Sequence, residues 1–416
     1  MEIKLPEIQA ALDELKDDQR AMAKPQVRNA VEQLDNMLSE LELKPRSVAS
    51  EESWDIQANI AELEQLTSII PQMFDALPQK EPFIALLFKL ALTYRRLGEP
   101  ERTAEICEQV LEMTASGELP YCRATAFKEL GNLKFYQGNW TQAESYYQQS
   151  LGLYEAENDT GYVATIRNNL GYIAVQQGSY DLAREHHQHA IDVGEQRDDC
   201  QRPLAAAFNS LGIIGSVQGD WDTAIDYFEK SITIYEGMDL PREAAGVYTN
   251  LAMAYADAEE WAVAGECYAE ATVLAEKSGN LPTLSRIYVN RAEFLLNISN
   301  IDPAQLYCNK ALAIFQKSGE TIGMADVYKL YGRIHRHRKE WNPAVDAFTQ
   351  SIKRYQSCQN TQGEAEGCYE LGLMYKDSEN LSQAQYFLKR SRVLYEQLGA
   401  TNELQRLDAA LTTLVS

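Results

Sequence analysis

A spacing of forty residues constrains this chain more than anything else in it. Leu90, Leu130, Leu170, Leu211, Leu251, Arg291, Tyr331 and Leu371 fall in register, with successive gaps of 40, 40, 41, 40, 40, 40 and 40 residues. A small residue follows each one: Ala91, Gly131, Gly171, Gly212, Ala252, Ala292, Gly332 and Gly372. Further along each period comes another small column, Ala143, Ala183, Ala224, Ala264, Ala304, Ala344 and Ala384. Four residues on is a bulky or soft column: Tyr147, His187, Phe228, Tyr268, Cys308, Phe348 and Leu388. Three beyond that the column is small again: Ser150, Ala190, Ser231, Ala271, Ala311, Ser351 and Ser391. Small side chains let two helices approach closely, and bulky ones fill the space between them. Each period therefore predicts a helical hairpin. Neither helix can bury its apolar stripe alone, so the hairpins must stack, and the fold class is all-α with about eight of them.

Composition agrees. A chain of 416 residues exceeds one ordinary core unless that core is built by repetition. At 45% hydrophobic residues with only 13 Pro, it can fold as helices without metals or disulfides. The formal net charge of -23 repels nucleic-acid phosphate and anionic membrane, which sets both aside as partners. The seven Cys are odd in number and form no C-x-x-C pair, which points to a reducing compartment. Several fall where other periods carry Phe or Tyr, and read as small core residues. The start, Met1-Glu2-Ile3-Lys4, lacks a signal peptide's regions, and the apolar run 83–92 is broken by Lys89 and is short. A soluble, cytoplasmic chain is expected. No Gly-rich phosphate loop, G-x-S-x-G, H-E-x-x-H or kinase signature is present, so neither an enzyme nor a cofactor is expected.

The string Leu170-Gly171, Gly178, Tyr180, Ala183, Ala190 resembles the tetratricopeptide repeat, and so does Leu211-Gly212, Gly219, Trp221, Ala224, Phe228. The longer period is similar to the variant found in kinesin light chain, in the LGN group of spindle-orientation adaptors and in bacterial peptide-sensing regulators. The likeness spans residues 84–400. It implies a right-handed superhelical solenoid in which the first helix of each hairpin lines a concave groove. Residues 1–80 then form an N-terminal helical module or cap, 84–400 the repeats, and 401–416 a closing helix.

Trp140, Trp221, Trp261 and Trp341 share one repeat position with Tyr180, Ile301 and Leu381. Their spacing matches the repeat rather than a single site, so they read as hairpin packing and not as a ligand cage. At the turn before them, periods one to four carry Gly98, Gly138, Gly178 and Gly219, whereas five to eight carry Glu259, Ser299, Lys339 and Glu379. If that position is left-handed the second set is strained, unless Asn300 and Asn380 next door take the conformation instead. Period six departs most, with Arg291 and Cys308, and the second half is expected to be looser. Before the repeats, Ile8, Leu12 and Leu15 share a helix face. Val27, Val31, Leu34, Leu38 and Leu41 follow a 4-3-4-3 seam after Pro25. Lys44 to Ser47 reads as a linker, and a third helix should run from 53 to 76 with Ile56, Ile60, Leu63, Leu66 and Ile70 inward. The seam either caps the array or pairs two copies as a homodimer. Leu404, Leu407, Ala410, Leu411 and Leu414 mark the closing helix.

Three sets of residues are candidates for function. Lys128, Asn132, Asn168, Asn169, Asn209, Asn250 and Asn290 lie on first helices at groove-facing spacing. A row of Asn, each both donor and acceptor, can hold the backbone of an extended peptide. Lys128, Asn132 and Asn169 also match part of the carboxylate clamp of chaperone-binding members, but Ala206 and Ser210 stand where the clamp needs cations. The second set is basic: Lys329, Arg333 and Arg336 at i, i+4, i+7, with Arg286 and Lys376 on neighbouring first helices. It suits an acidic segment on a partner, or else pairs with Asp326 and Glu366 within the chain. The third set, His186, His187, His189, His335 and His337, lacks the partners of a first metal shell, so no metal is expected. The reading is a scaffold that holds a peptide segment of another protein in its groove. The alternative is a ligand-responsive regulator whose array moves the N-terminal module.

Overall fold

The computed structural model describes residues 5–43, 64–65, 68–97 and 99–414, and every regular element among them is a helix. None is long and apolar enough to cross a membrane. The chain divides into two compact units, residues 1–204 and 205–416.

The first unit begins with helices Leu5–Asp17, Gln19–Met22 and Pro25–Leu43. Asp18 accepts from the amides of Arg20 and Ala21, which ends the first helix and starts the second. Residues 68–73 are helical and tighten into a 3₁₀ turn at Phe74–Ala76, three residues short of the sequence expectation for an α-helix. The expected linker at Lys44 to Ser47, the residues Ile56, Ile60, Leu63 and Leu66, the glycine Gly98 and the side chains of Ile8, Leu38 and Leu41 lie outside what is described. Leu12, Leu15, Val27, Val31, Leu34 and Ile70 are buried in one core with Phe83, Leu87 and Leu90 of the first hairpin. The described part of the seam is thus consumed as a cap within the chain.

Hairpins follow. In the first unit they are Glu81–Leu97 with Pro100–Met113, Pro120–Tyr136 with Trp140–Ala156, and Thr160–Gln176 with Tyr180–Gly194. The helix Gln201–Gln218 pairs in sequence with Trp221–Gly237. The second unit continues with Pro241–Asp257 and Trp261–Ser278, Leu281–Asn297 and Ile301–Ser318, Thr321–His337 and Trp341–Ser357, and Thr361–Asp377 and Leu381–Leu398. Thr401–Thr412 closes it, with Leu407 buried against Tyr395 and Ala365. Helix starts are written locally. Asn139, Asp159, Asp220, Asn280, Asn360 and Asn380 cap with side-chain oxygens, and Pro100, Pro120 and Pro241 occupy first turns.

The columns read from sequence are the packing. All seven alanines from Ala143 to Ala384 are fully buried. The residue after the anchor lies under the bulky column so closely that a Cβ on Gly131, Gly171, Gly212 or Gly332 would come within 2.6, 2.5, 2.5 and 2.5 Å of Tyr147, His187, Phe228 and Phe348. Where the first helix carries Ala91 or Ala292, the opposing residue shrinks to Cys107 or Cys308, which conserves volume. The last small column is more than small. Ser150, Ser231, Ser351 and Ser391 are buried and donate to the carbonyls of Ala124, Ala205, Ala325 and Ala365 at 2.7 to 2.8 Å. Of the aromatic first-turn residues, Trp140 meets Phe135 edge-on at 5.3 Å, the hairpin packing expected.

The hairpin turn is left-handed throughout the described set. Gly138, Gly178 and Gly219 have φ of 73 to 76°, and Glu259, Ser299, Lys339 and Glu379 have φ of 59 to 62°. Asn300 and Asn380 do not take that role, because at φ -93 and -88° they are helix caps. The turns that join one hairpin to the next are left-handed too, at Gly117, Asn158, Asp239, Gly279, Gly319, Gln359 and Gly399. Period six accommodates its Arg291 by hydrogen bonding to Thr272 at 3.0 Å and lying over the Tyr307 ring at 4.5 Å.

Two substitutions test this packing. Gly332→Ala should lower stability by about 1–3 kcal/mol, because the ring of Phe348 cannot move without displacing its own neighbours. Lys339→Gly should raise it by about 0.5–1 kcal/mol by relieving a left-handed side-chain residue. Urea unfolding followed by circular dichroism reads both, and opposite signs from those stated would refute the assignments.

Candidate functional site

In the second unit, the first helices Pro241–Asp257, Leu281–Asn297, Thr321–His337 and Thr361–Asp377 touch one another in succession. Residues at equal repeat positions on them are therefore neighbours. Asn250 Nδ2 donates to Asn209 Oδ1 at 2.9 Å, across adjacent first helices and 41 residues of sequence. Both amides are half-buried, and the Asn250 Oδ1 and Asn209 Nδ2 make no bond among the described residues. Asn290 is half-buried with Arg286 exposed beside it, in a cleft of about 620 Å³ that Glu320, Asp326 and Cys358 also line.

The basic set is held by acids. Lys329 Nζ is 2.5 Å from Glu366, Arg333 binds Glu293 and Asn297 at 2.8 Å each, and Arg336 binds Asp377 at 2.6 Å and Glu370 at 3.3 Å. Burial works against the Lys329 charge, yet the Glu366 carboxylate holds its pKa above the usual lysine value. Asp326, named beforehand as a partner, instead accepts from the Tyr355 hydroxyl, and burial raises its pKa. Lys376 donates to Thr413 at 2.6 Å. A cleft of about 450 Å³ there is lined by Lys329, Arg333 and Arg406 against Glu293, Glu366, Glu370 and Glu403. That cleft sets three cations against four carboxylates, whereas an adjoining cleft of about 610 Å³ sets Arg333, Arg336, Lys339 and Arg406 against Glu370 and Asp377.

In the first unit, Asn169 Nδ2 approaches Asn132 Oδ1 at 3.5 Å, and that oxygen also accepts from the Tyr147 hydroxyl at 2.7 Å. Lys128 lies 3.1 Å from Glu129 and over the Tyr162 ring at 5.4 Å. Asn168 is a correction. It is buried at 3% exposure, donates to the Pro203 carbonyl at 2.7 Å and accepts from His187 Nδ1 at 2.8 Å. Its amide is spent inside the hairpin and cannot face a groove. That bond fixes the His187 tautomer with the proton on Nδ1 and leaves the buried Nε2 unpartnered. Among the described residues no group of three His, Cys, Asp or Glu side chains is placed to hold a metal ion.

Residues missed in the sequence are Lys89, Arg95, Glu129 and Tyr162, which line a narrow pocket with Lys128. The signal was present: Lys89 and Arg95 sit on the first helix one period before Lys128.

Residues 83–156 and 162–237 match the family model described as tetratricopeptide repeat, and 241–387 match one described as soluble NSF attachment protein. No curated protein matches. Among solved structures, the apo form of the quorum sensor NprR from B. thuringiensis is 12% identical. It covers 88% of this chain and 99% of its own at a TM-score of 0.58. The Rap conjugation gene regulator of plasmid pLS20, solved with the Phr* peptide, is 16% identical, with 86% and 96% covered and a TM-score of 0.57. Aspartyl phosphate phosphatase F from Bacillus subtilis is 15% identical, with 84% and 96% covered and a TM-score of 0.56. Such likenesses establish a shared fold.

Burial pushes the His187 pKa down from 6.5 to about 4. Between those values the unfolded chain takes up a proton that the folded chain refuses, so stability falls as pH drops through that window. The loss should reach about 3 kcal/mol near pH 4. His187→Phe, which matches Phe228 and Phe348 of other periods, should flatten the pH 7 to 4 segment of the curve. An equal slope in both proteins would refute it.

Proposed function

We propose that this chain, whose residues 83–156 and 162–237 match the tetratricopeptide-repeat model, holds an extended peptide segment of another protein along the row of first helices. The observation that carries this reading is the pair of asparagine contacts, Asn250 to Asn209 and Asn169 to Asn132. Each links two neighbouring first helices, one period apart. An asparagine costs helix stability relative to most residues. Here each pair is fixed in place by its own contact while donors or acceptors remain, and these can bind a backbone without choosing its sequence. Asn132, Asn169, Asn209, Asn250 and Asn290 are assigned to this role. Lys329, Arg333 and Arg336 are assigned to shaping the floor through their carboxylate partners. Exchanging those partners for groups on a ligand would forfeit existing bonds. The role is binding and not catalysis.

A second reading has its own support. The quorum sensor and the peptide-bound regulator share the fold over nearly their whole length. In the first unit of this chain, the N-terminal helices share one core with the first hairpin. A ligand that changes the tilt of that hairpin would move Leu12, Val31 and Leu34 with it, which is the physical requirement for a ligand-responsive regulator.

Met253 lies three residues from Asn250 on the same helix face and is 47% exposed, whereas Val273 is 56% exposed on the second helix of that hairpin. A photo-crosslinking residue at Met253 should capture the partner, and one at Val273 should not. Asn209→Ala with Asn250→Ala should weaken capture at least tenfold. Capture from Val273 alone, or capture unaffected by the double substitution, would refute the groove assignment.

A further inference from the structure

The pocket of the first unit has a charge surplus that its described lining does not neutralise. It is about 190 Å³ and lies between the first helices Glu81–Leu97, Pro120–Tyr136 and Thr160–Gln176. Its walls are Phe88, Ala91, Leu92 and the Tyr162 ring, and its charged lining is Lys89, Arg95, Lys128 and Glu129. Three cations therefore face one carboxylate, in a chain whose net charge is -23.

Glu129 does not end that surplus but organises it. Its Oε2 accepts from Arg95 Nη1 at 2.5 Å and from Asn132 Nδ2 at 3.2 Å, and its Oε1 lies 3.1 Å from Lys128 Nζ. Burial would favour the neutral acid, yet Lys128 and Arg95 hold its pKa below the ordinary glutamate value. The two cations are thus pinned to one fixed charge. Arg95 has used one of its N–H groups there, and Lys128 keeps further donors. Lys89 is exposed, and its ammonium makes no bond among the described residues. Like charges gathered this way repel one another and are relieved by an incoming anion. The apolar wall of Phe88, Leu92 and Tyr162 lowers the local dielectric and strengthens that attraction over its value in water.

We propose that this pocket binds a carboxylate on an apolar stem, the acidic side chain or chain end of a bound peptide next to an aromatic or aliphatic residue. The stem packs on Phe88, Leu92 and Tyr162, and the carboxylate takes donors from Lys89, Arg95 and Lys128. The acidic part of the partner is thereby placed here, where three cations share one carboxylate, whereas Arg333 and Arg336 each bind two or more groups of the chain. The inference rests on the reading of the first helices as a peptide groove. Its test is separate, because crosslinking at Met253 in the other unit does not involve these residues.

The probes are N-acetylphenylalanine, its uncharged amide, and inorganic phosphate, measured on the full chain by ligand-observed NMR. The acid should bind at least tenfold more tightly than the amide and lose that advantage as salt rises. Lys89→Ala with Lys128→Met should weaken the acid at least tenfold and leave the amide unchanged. If the double variant melts early, Lys89→Ala alone carries the test, since that side chain supports no contact. Equal binding of acid and amide overturns the proposal, as does full affinity in the variant. Tighter binding of phosphate than of the acid also overturns it, because the apolar wall would then contribute nothing.

Discussion

The contact between a small residue on each first helix and a larger one on its second helix is what the rest of the structure depends on. With glycine at 131, 171, 212 and 332, the rings of Tyr147, His187, Phe228 and Phe348 lie where a Cβ would be. Helices this close leave no room for side chains on the facing strip except alanine and serine. Hence come the buried alanine column and the serines that donate to carbonyls across the gap. The tightness also fixes the rotation of each first helix about its axis. Side chains such as Asn169, Asn209 and Asn250 then meet the neighbouring first helix, and the asparagine contacts are consequences of that rotation.

A pattern repeated eight times is legible because each period checks the others. The anchors, the small columns and the helix ends all follow from it, and so does the left-handed turn. What one period does alone was harder to see. Asn168 and Asn209 hold the same repeat position, and nothing in their spacing separates them. The residue opposite does. Asn209 faces a period with Phe228, which has no polar atom to offer, and stays half-buried at the surface. Asn168 faces His187, which donates to it and draws it inside. The substitution of one imidazole for a ring of similar size converts a candidate binding residue into a packing residue.

The neutralised basic cluster was readable in principle. Glu293 stands 40 residues before Arg333 and Asp377 stands 41 after Arg336, which is one period each. Scanning along a single helix shows Lys329, Arg333 and Arg336 as a positive stripe. Scanning down a repeat column shows each facing an acid. In this array the second direction decides, because each of these side chains reaches a carboxylate on a neighbouring first helix.

The two directions explain why net charge is a poor guide to where this chain would bind an ion. At -23 it repels anions at a distance, but that field is screened within about 10 Å at ordinary salt. At contact, only the local sum over adjacent first helices matters. In the second-unit cleft beside Lys329 that sum is close to zero, because cations and carboxylates there occur in matched columns, and a partner's charge would have to compete with bonds already made. In the first unit Lys89, Arg95 and Lys128 converge on Glu129 alone, so the columns are unmatched and donors are left over. Charge contributes to partner choice where a column is unmatched, and elsewhere it maintains the spacing of the helices.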